Sequence, residues 1–255
     1  MNDRRSVSGL PLPGPAPPPV VMSAEARIAR RRLGPSTIVY GASSAAILLF
    51  AVHRYGLIAC LPWLAAGASL WTLVEYLVHR FVLHGAFPDG PGAWQRFLHR
   101  RFDHLHWHHH REPWNGRHIS GTLHHTAPMV LALAVPAILL PQPAGAVSFA
   151  SFLLSYLAEE WVHLSVHFCS FRGRYFQYLR LHHHYHHGSR IGTFAFGLTS
   201  GVWDRACGTH VPPLAAHRRF VTSSLSVDAP SSEPPLASPR LAASSPSRCR
   251  AGASV

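Results

Sequence analysis

Four charge-poor apolar runs stand out along the chain: Thr37 to Val52, Leu57 to Val78, Ala127 to Leu140 and Ala144 to Val162. "HRYG" parts the first two and "PQP" parts the last two. A helix that spans a bilayer needs about 20 apolar residues. Only the second and fourth runs approach that length, and Pro136 interrupts the third. Paired apolar runs joined by turn residues predict an all-α integral membrane protein. Its architecture is two helical hairpins, or about four transmembrane or re-entrant helices. Two buried hairpins of a soluble protein are the competing reading, and the extent of the charge-poor runs argues against it.

The flanks differ in kind. Residues 1–23 are Pro-rich ("GLPLPGPAPPP") and are expected to lack regular structure. They also lack the pattern of basic start, apolar run and small-residue cleavage site of a secretory signal. Residues 222–255 are rich in Ser, Pro and Ala and are expected to be disordered. Residues 24–221 remain as the membrane domain. Arg27, Arg30, Arg31 and Arg32 precede the first run, which puts that end on the cytosolic side. A hairpin returns to the side it left. His79 and His163, at the ends of the second and fourth runs, therefore emerge on the cytosolic face, with the polar segments that follow them.

Composition adds to this picture. Hydrophobic residues make up 47% and charged residues 13%, and the formal net charge is +12. All 23 basic residues are arginine. Arg-only basicity with abundant Ala and Pro points to a GC-rich bacterial genome, hence a bacterial inner membrane. Cys60, Cys169, Cys207 and Cys249 show no CxxC pairing and read as free thiols in a reducing compartment.

Histidine changes the picture most. The chain holds 21, and most fall in four clusters. "EYLVHRFVLH" carries His79 and His84. "HLHWHHHREP" carries His106, His109 and His110, with His104 and His108 beside them. "EEWVHLSVHF" carries His163 and His167. "LHHHYHHG" carries His183, His186 and His187, with His182 and His184 beside them. Positions i, i+3 and i+4 share a helix face, which fits the second and fourth clusters. His163 and His167 are one turn apart. His79 and His84 lie about 140° apart on an ideal helix, so they converge only if the helix ends or bends between them.

So many imidazoles exceed the shell of one ion, and two ions would fit. Imidazole suits Zn, Cu, Fe and Ni. A structural zinc site normally uses four ligands, usually with cysteine, and no cysteine lies beside these clusters. A histidine-rich two-metal site with open positions suits redox chemistry on O₂. Glu75, Glu159 and Glu160 precede His79 and His163 by one turn or less, where they are expected to accept the outer N–H of a ligand and fix its tautomer. His108, His182 and His184 are expected bystanders or outer partners. The pair His124 and His125 has no assigned role, and His53, His99, His118, His210 and His217 read as surface or core.

The order HxxxxH, HxxHH, HxxxH, HxxHH on paired membrane helices resembles the fatty acid hydroxylase superfamily, which includes sterol desaturases and fatty acid 2-hydroxylases. "HWHHHREP" (His106 to Pro113) is similar to that family's HGxHHxxP box, with Trp107 in place of glycine. Glu160 stands where the family has an acidic residue before its HxxxH. "FGLTSGVWDRACGTH" (Phe196 to His210) resembles its closing FGxxSxxWDxxFGT segment.

The resemblance implies a membrane di-iron oxygenase, with zinc replacing iron in some purified members. Its ligands would be His79, His84, His106, His109, His110, His163, His167, His183, His186 and His187. O₂ is the co-substrate. Electrons are expected from a separate cytochrome b5- or ferredoxin-like protein, and a lipid acyl chain is hydroxylated from the bilayer. Trp71, Trp161, Trp203, Phe194 and Phe196 are candidates for the lipid entry. Sterol or carotenoid hydroxylation, or desaturation, stays open within the family. Outside it, a His-rich metal transporter would hold its ligands near the bilayer midplane rather than at helix ends. A basic binder of anionic lipid or nucleic acid leaves HxxHH spacing without a reason, and no nucleic-acid partner is expected.

Overall fold

A computed structural model of the chain describes residues 16–211, apart from 86, 88, 104 and 189–193. All described residues belong to a compact unit spanning Met1–His217. The tail expected to be disordered, His104 and His217 lie outside the described residues.

The described fold is all-helical. Two long helices come first: α1 (Pro19–Tyr55) and α2 (Leu57–Leu77), the latter continuing as a π-helical turn, Val78–Leu83. Two short helices follow, α3 (Ala93–Leu98) and α4 (Leu105–Arg111). A second long pair, α5 (Leu123–Leu139) and α6 (Ala144–Phe168), leads to α7 (Arg174–Gly188) and a single turn, α8 (Val202–Ala206). Gly56, at φ 83°, makes the sharp reversal between α1 and α2, a conformation that side-chain-bearing residues adopt only under strain.

Three expectations need correction. First, α1 starts at Pro19, within the segment expected to lack structure. Proline at the first helical position forfeits no hydrogen bond and has the right φ. Second, Pro136 does not interrupt the third run, because α5 passes through Pro128 and Pro136 to Leu139. Neighbouring helices compensate such losses in apolar surroundings. Third, only two helices among the described residues are long and apolar enough to cross a membrane, Pro19–Tyr55 and Leu57–Leu83, rather than about four. At 17 residues α5 is too short, and the second half of α6 is broken by Glu159, Glu160, His163 and His167.

Helix α6 is the hub on which α1, α2, α5 and α7 pack. Its contact with α2 is a backbone approach: a Cβ on Gly67 would sit 2.1 Å from the Ser148 carbonyl oxygen. The Ser151 hydroxyl bonds the Leu64 carbonyl at 2.7 Å across the same seam. Small residues that let helices meet this closely are typical where lipid removes the hydrophobic drive for association. Beside the seam, Trp71 meets Phe152 and Tyr156 edge-on, with centroids 4.9 and 5.2 Å apart. Trp71 is thus a core residue, not part of a lipid entry. Outward, Ile38, Leu49, Phe50, Ile58, Leu131 and Ile138 stay exposed, an apolar belt suited to lipid.

Candidate metal centre

The second membrane-length helix delivers the first two histidines. In an α-helix His79 and His84 point apart, but the π turn bonds i to i+5. The His84 N–H reaches the His79 carbonyl at 3.1 Å, which places residues five apart almost over one another. Their ring centroids lie 5.2 Å apart. The sequence required a bend here, and the chain supplies one extra residue in one turn.

The ten histidines fall into two buried groups. His79, His84, His106, His110 and His186 form the first, and His109, His163, His167, His183 and His187 the second. In each group the candidate ligand nitrogens all lie within 4.8 Å of one another. Each HxxHH box is shared between them. On α4, His106 and His110 enter the first group and His109 the second; on α7, His183 and His187 enter the second and His186 the first. The three histidines of a box therefore do not converge on one point. The i, i+4 pair serves one group and the i+3 residue the other. The groups abut, with the His110 and His187 rings 4.4 Å apart.

Nitrogen geometry tests whether an ion fits. In the first group the Nε2 atom of His106 lies 2.9–3.1 Å from those of His79, His84 and His110. The Nε2 atom of His186 lies 3.0 Å from that of His84 and 3.1 Å from that of His110. The second group shows 2.8–3.0 Å between His109 and His163, His167 and His183, and His183 and His187. Two nitrogens at right angles around a metal, each about 2.0–2.1 Å from it, stand roughly 2.9 Å apart.

Hydrogen bonding alone does not account for these contacts. His79 Nδ1 bonds the Phe196 carbonyl at 2.5 Å and His186 Nδ1 bonds the Phe194 carbonyl at 2.8 Å. A carbonyl only accepts, so Nδ1 carries the proton and Nε2 is left a bare lone pair. Burial, reinforced by neighbouring imidazoles, holds His84, His106, His109, His110, His183, His186 and His187 well below the ordinary histidine pKa. Neutral rings with lone pairs converging on one point repel unless a cation sits among them. Among the described residues the buried Nδ1 atoms of His84, His109, His110, His167 and His187 have no hydrogen-bond partner. The residues present fit two metal ions, and imidazole selects a borderline transition metal.

The outer partners are not those the sequence indicated. The Glu75 carboxylate accepts from the backbone N–H groups of Leu198 and Thr199 and from the Thr199 hydroxyl, not from His79. Glu160 accepts from Gly121 N–H at 3.2 Å and from the Tyr156 hydroxyl at 2.9 Å, not from His163. No bond from Glu159 to a histidine is found among the described residues. Residues one turn apart on a helix can meet, but here donors from outside the helix, Leu198, Thr199 and Gly121, take the Glu75 and Glu160 oxygens. Backbone carbonyls take the histidine N–H groups instead. His108 stacks on His118, centroids 5.3 Å apart. His184 bonds the Val166 carbonyl at 3.2 Å.

His182 bonds Asp204, which sequence reasoning missed as a site residue. The Asp204 carboxylate is fully buried. It accepts from Phe196 and Gly197 N–H at 2.9 and 2.8 Å, from the Thr209 hydroxyl at 2.8 Å and from His182 Nε2 at 3.1 Å. Burial would raise its pKa, but these donors together hold it below the ordinary value. The signal was present in the "WD" of the closing segment. The Phe196 ring covers the first group, 5.6–5.8 Å from His79, His84 and His186. Trp203 donates to Thr72 at 3.1 Å and Trp161 to Thr37 at 3.1 Å, while His124 and His125 share the Thr122 hydroxyl apart from both groups.

The family model for fatty acid hydroxylase matches residues 64–209, which hold all ten of these histidines. The chain belongs to the fatty acid hydroxylase family. A fatty acid 2-hydroxylase of Homo sapiens is 32% identical over 151 residues, covering 57% of this chain and 38% of that protein. A dihydroceramide fatty acyl 2-hydroxylase of Arabidopsis thaliana is 30% identical over 162 residues, covering 62% and 64%. The chain thus spans well under half the length of its animal relatives in the family. A solved structure of scs7p, with only its hydroxylase domain visible, superposes with a TM-score of 0.50 at 25% identity, over 76% of this chain and 66% of that one.

Proposed function

We propose that the chain is a membrane oxygenase that hydroxylates a lipid acyl chain. The observation that carries this reading is the pair of five-histidine groups with converging Nε2 lone pairs, at the end of a membrane-length helix. The domain expected over residues 24–221, extended to the start of α1 at Pro19, forms the catalytic domain. His79, His84, His106, His110 and His186 would hold one iron, and His109, His163, His167, His183 and His187 would hold the other. Two irons supply the activation of O₂ and the oxidation of an unactivated C–H bond.

The chain's own residues do the rest. The Phe194 and Phe196 carbonyls keep His186 and His79 in the tautomer whose Nε2 faces inward. The Phe196 ring covers the first group against water. The exposed apolar belt of α1, α2 and α5 sets the site beside the acyl region, so the substrate arrives from the bilayer. Insertion of one oxygen atom and release of the other as water consumes two electrons, drawn from a separate cytochrome b5- or ferredoxin-like protein. Arginines before the first apolar run place the site on the cytosolic face, and arginine-only composition points to a bacterial inner membrane.

The names of the relatives support an acyl chain over a sterol or carotenoid. Lipid profiling of the host with and without the gene tests this: a lipid class whose acyl chain gains 16 mass units is expected. A loss of 2 mass units, or a change confined to sterols or carotenoids, overturns acyl hydroxylation. Protein purified without oxygen should carry about two irons per chain, and one or none overturns the di-iron reading.

A further inference from the structure

The two histidine groups are not supported alike. In the first, His79 and His186 both rest their Nδ1 protons on carbonyls of one short segment, Phe196 and Phe194. In the second, His163 hydrogen-bonds the backbone of Ile119, while among the described residues no partner is found for the buried Nδ1 atoms of His109, His167 and His187, nor for those of His84 and His110 in the first. Among the described residues the closing segment hydrogen-bonds ligand histidines of the first group and none of the second.

That segment is held by Asp204. Its carboxylate takes the N–H groups of Phe196 and Gly197, and through His182 it fastens the segment to α7, beside His183 and His186. Thr209 closes the loop from the other end: its hydroxyl binds Asp204, and its carbonyl accepts the Ala195 N–H at 2.8 Å. Ala195 sits at φ 61°, a left-handed conformation that a residue with a Cβ keeps only when its surroundings impose it. Gly197 leaves no room for a side chain, since a Cβ there would lie 2.1 Å from the Ser200 carbonyl and 2.9 Å from Asp204 Oδ2.

We propose that Asp204 is a positioning residue for one metal position, that of His79, His84, His106, His110 and His186, and not for the other. It acts through the backbone: the carboxylate fixes the segment, and the segment's two carbonyls fix the tautomers and ring orientations of His79 and His186. Outer partners of this kind typically change metal affinity by about 10–100-fold. This inference rests on the two-metal reading, and its test separates the two.

The test is metal content per full-length chain in detergent, with graded chelator competition, for Asp204→Asn and Gly197→Ala. Asparagine keeps the shape of Asp204 but weakens its hold on the backbone N–H groups. Alanine at 197 displaces the segment and leaves Asp204 charged. In either variant one metal should be lost to chelator at about 10–100-fold lower chelator concentration than in the parent, and the other at the parent's concentration. Combining Asp204→Asn with His84→Ala should remove no further metal, whereas combining it with His167→Ala should remove both.

If Asp204→Asn does not fold, Gly197→Ala decides. Retention of both metals at parental affinity overturns the inference. So does loss of both together in both variants, the mark of a merely structural role. A parent chain that binds fewer than two metals overturns the two-metal reading instead.

Discussion

The two histidine groups look equivalent by count, yet they are built differently. The second takes His163 and His167 from the regular α-helix α6, one turn apart. The first takes His79 and His84 from a π turn, and it leans on a closing segment far along the chain. A ligand pair at i, i+4 needs only a helix. A pair at i, i+5 needs a local distortion together with something to hold the distorted end, and Phe196 supplies that through the His79 ring. Both groups depend on how helices meet, but the first is the one whose adjacent ligand pair also depends on a hold from far along the chain.

The largest effects should come from breaking the division of the boxes. His106 and His109 are neighbours on α4 but belong to opposite groups. His106→Ala and His109→Ala should each lower product formation by more than about 100-fold, beyond the range for outer partners. Metal content then separates them. His106→Ala combined with His186→Ala should lose no more metal than either change alone, while His106→Ala combined with His109→Ala should lose both. If the first double variant loses both metals, the division is wrong.

Acid should act on both groups. Below the ordinary histidine pKa the unfolded chain takes up protons that the folded chain refuses, because burial lowers the imidazoles of His106, His109, His110, His183, His186 and His187. A depressed folded-state value gives stability that is present above the unfolded value, about 6.5, and is lost as pH falls below it. Each such group contributes up to about 1.4 kcal/mol per pH unit in that window. The unfolding midpoint of metal-free protein should thus be flat from pH 8 to 7 and fall steeply from 6.5 to 5. A flat profile down to pH 5 would mean that the imidazoles are already charged or solvated in the folded state.

Much of the site was legible because α-helical spacing is a local property. His106, His109, His110, His163, His167, His183, His186 and His187 follow from i, i+3 and i+4 alone. Their assignment to two groups was not legible, since it depends on how α4, α6 and α7 face one another. The outer partners were misread for a related reason. Glu75 and Glu160 are close to histidines in sequence, but backbone donors of loops remote from those helix turns take up their oxygens. The carbonyls that do the task carry no mark in a sequence, because every residue has one. The fold was legible as apolar runs joined by turns. Its membrane-length helices were overcounted, since α5 ends after 17 residues and polar residues interrupt the apolar run of α6.

The smallest expected effect concerns the flanks of the groups. Trp107 stands edge-on against His84, centroids 5.5 Å apart, much as Trp114 stands against His167 at 5.7 Å. Where the family's box has glycine, Trp107 stands beside the first group, its ring also 6.2 Å from that of His110. It is half-buried, so Trp107→Gly should lower stability by about 1–3 kcal/mol, below the range for truncating a fully buried tryptophan. None of the ten histidines is altered, so metal content should stay at two per chain. Removing the indole opens the flank of His84, and the distribution of hydroxylated products should shift toward longer or bulkier acyl chains. An unchanged distribution with parental metal content would show that the substrate does not approach past His84, and would direct the search for its path to the side of the second group.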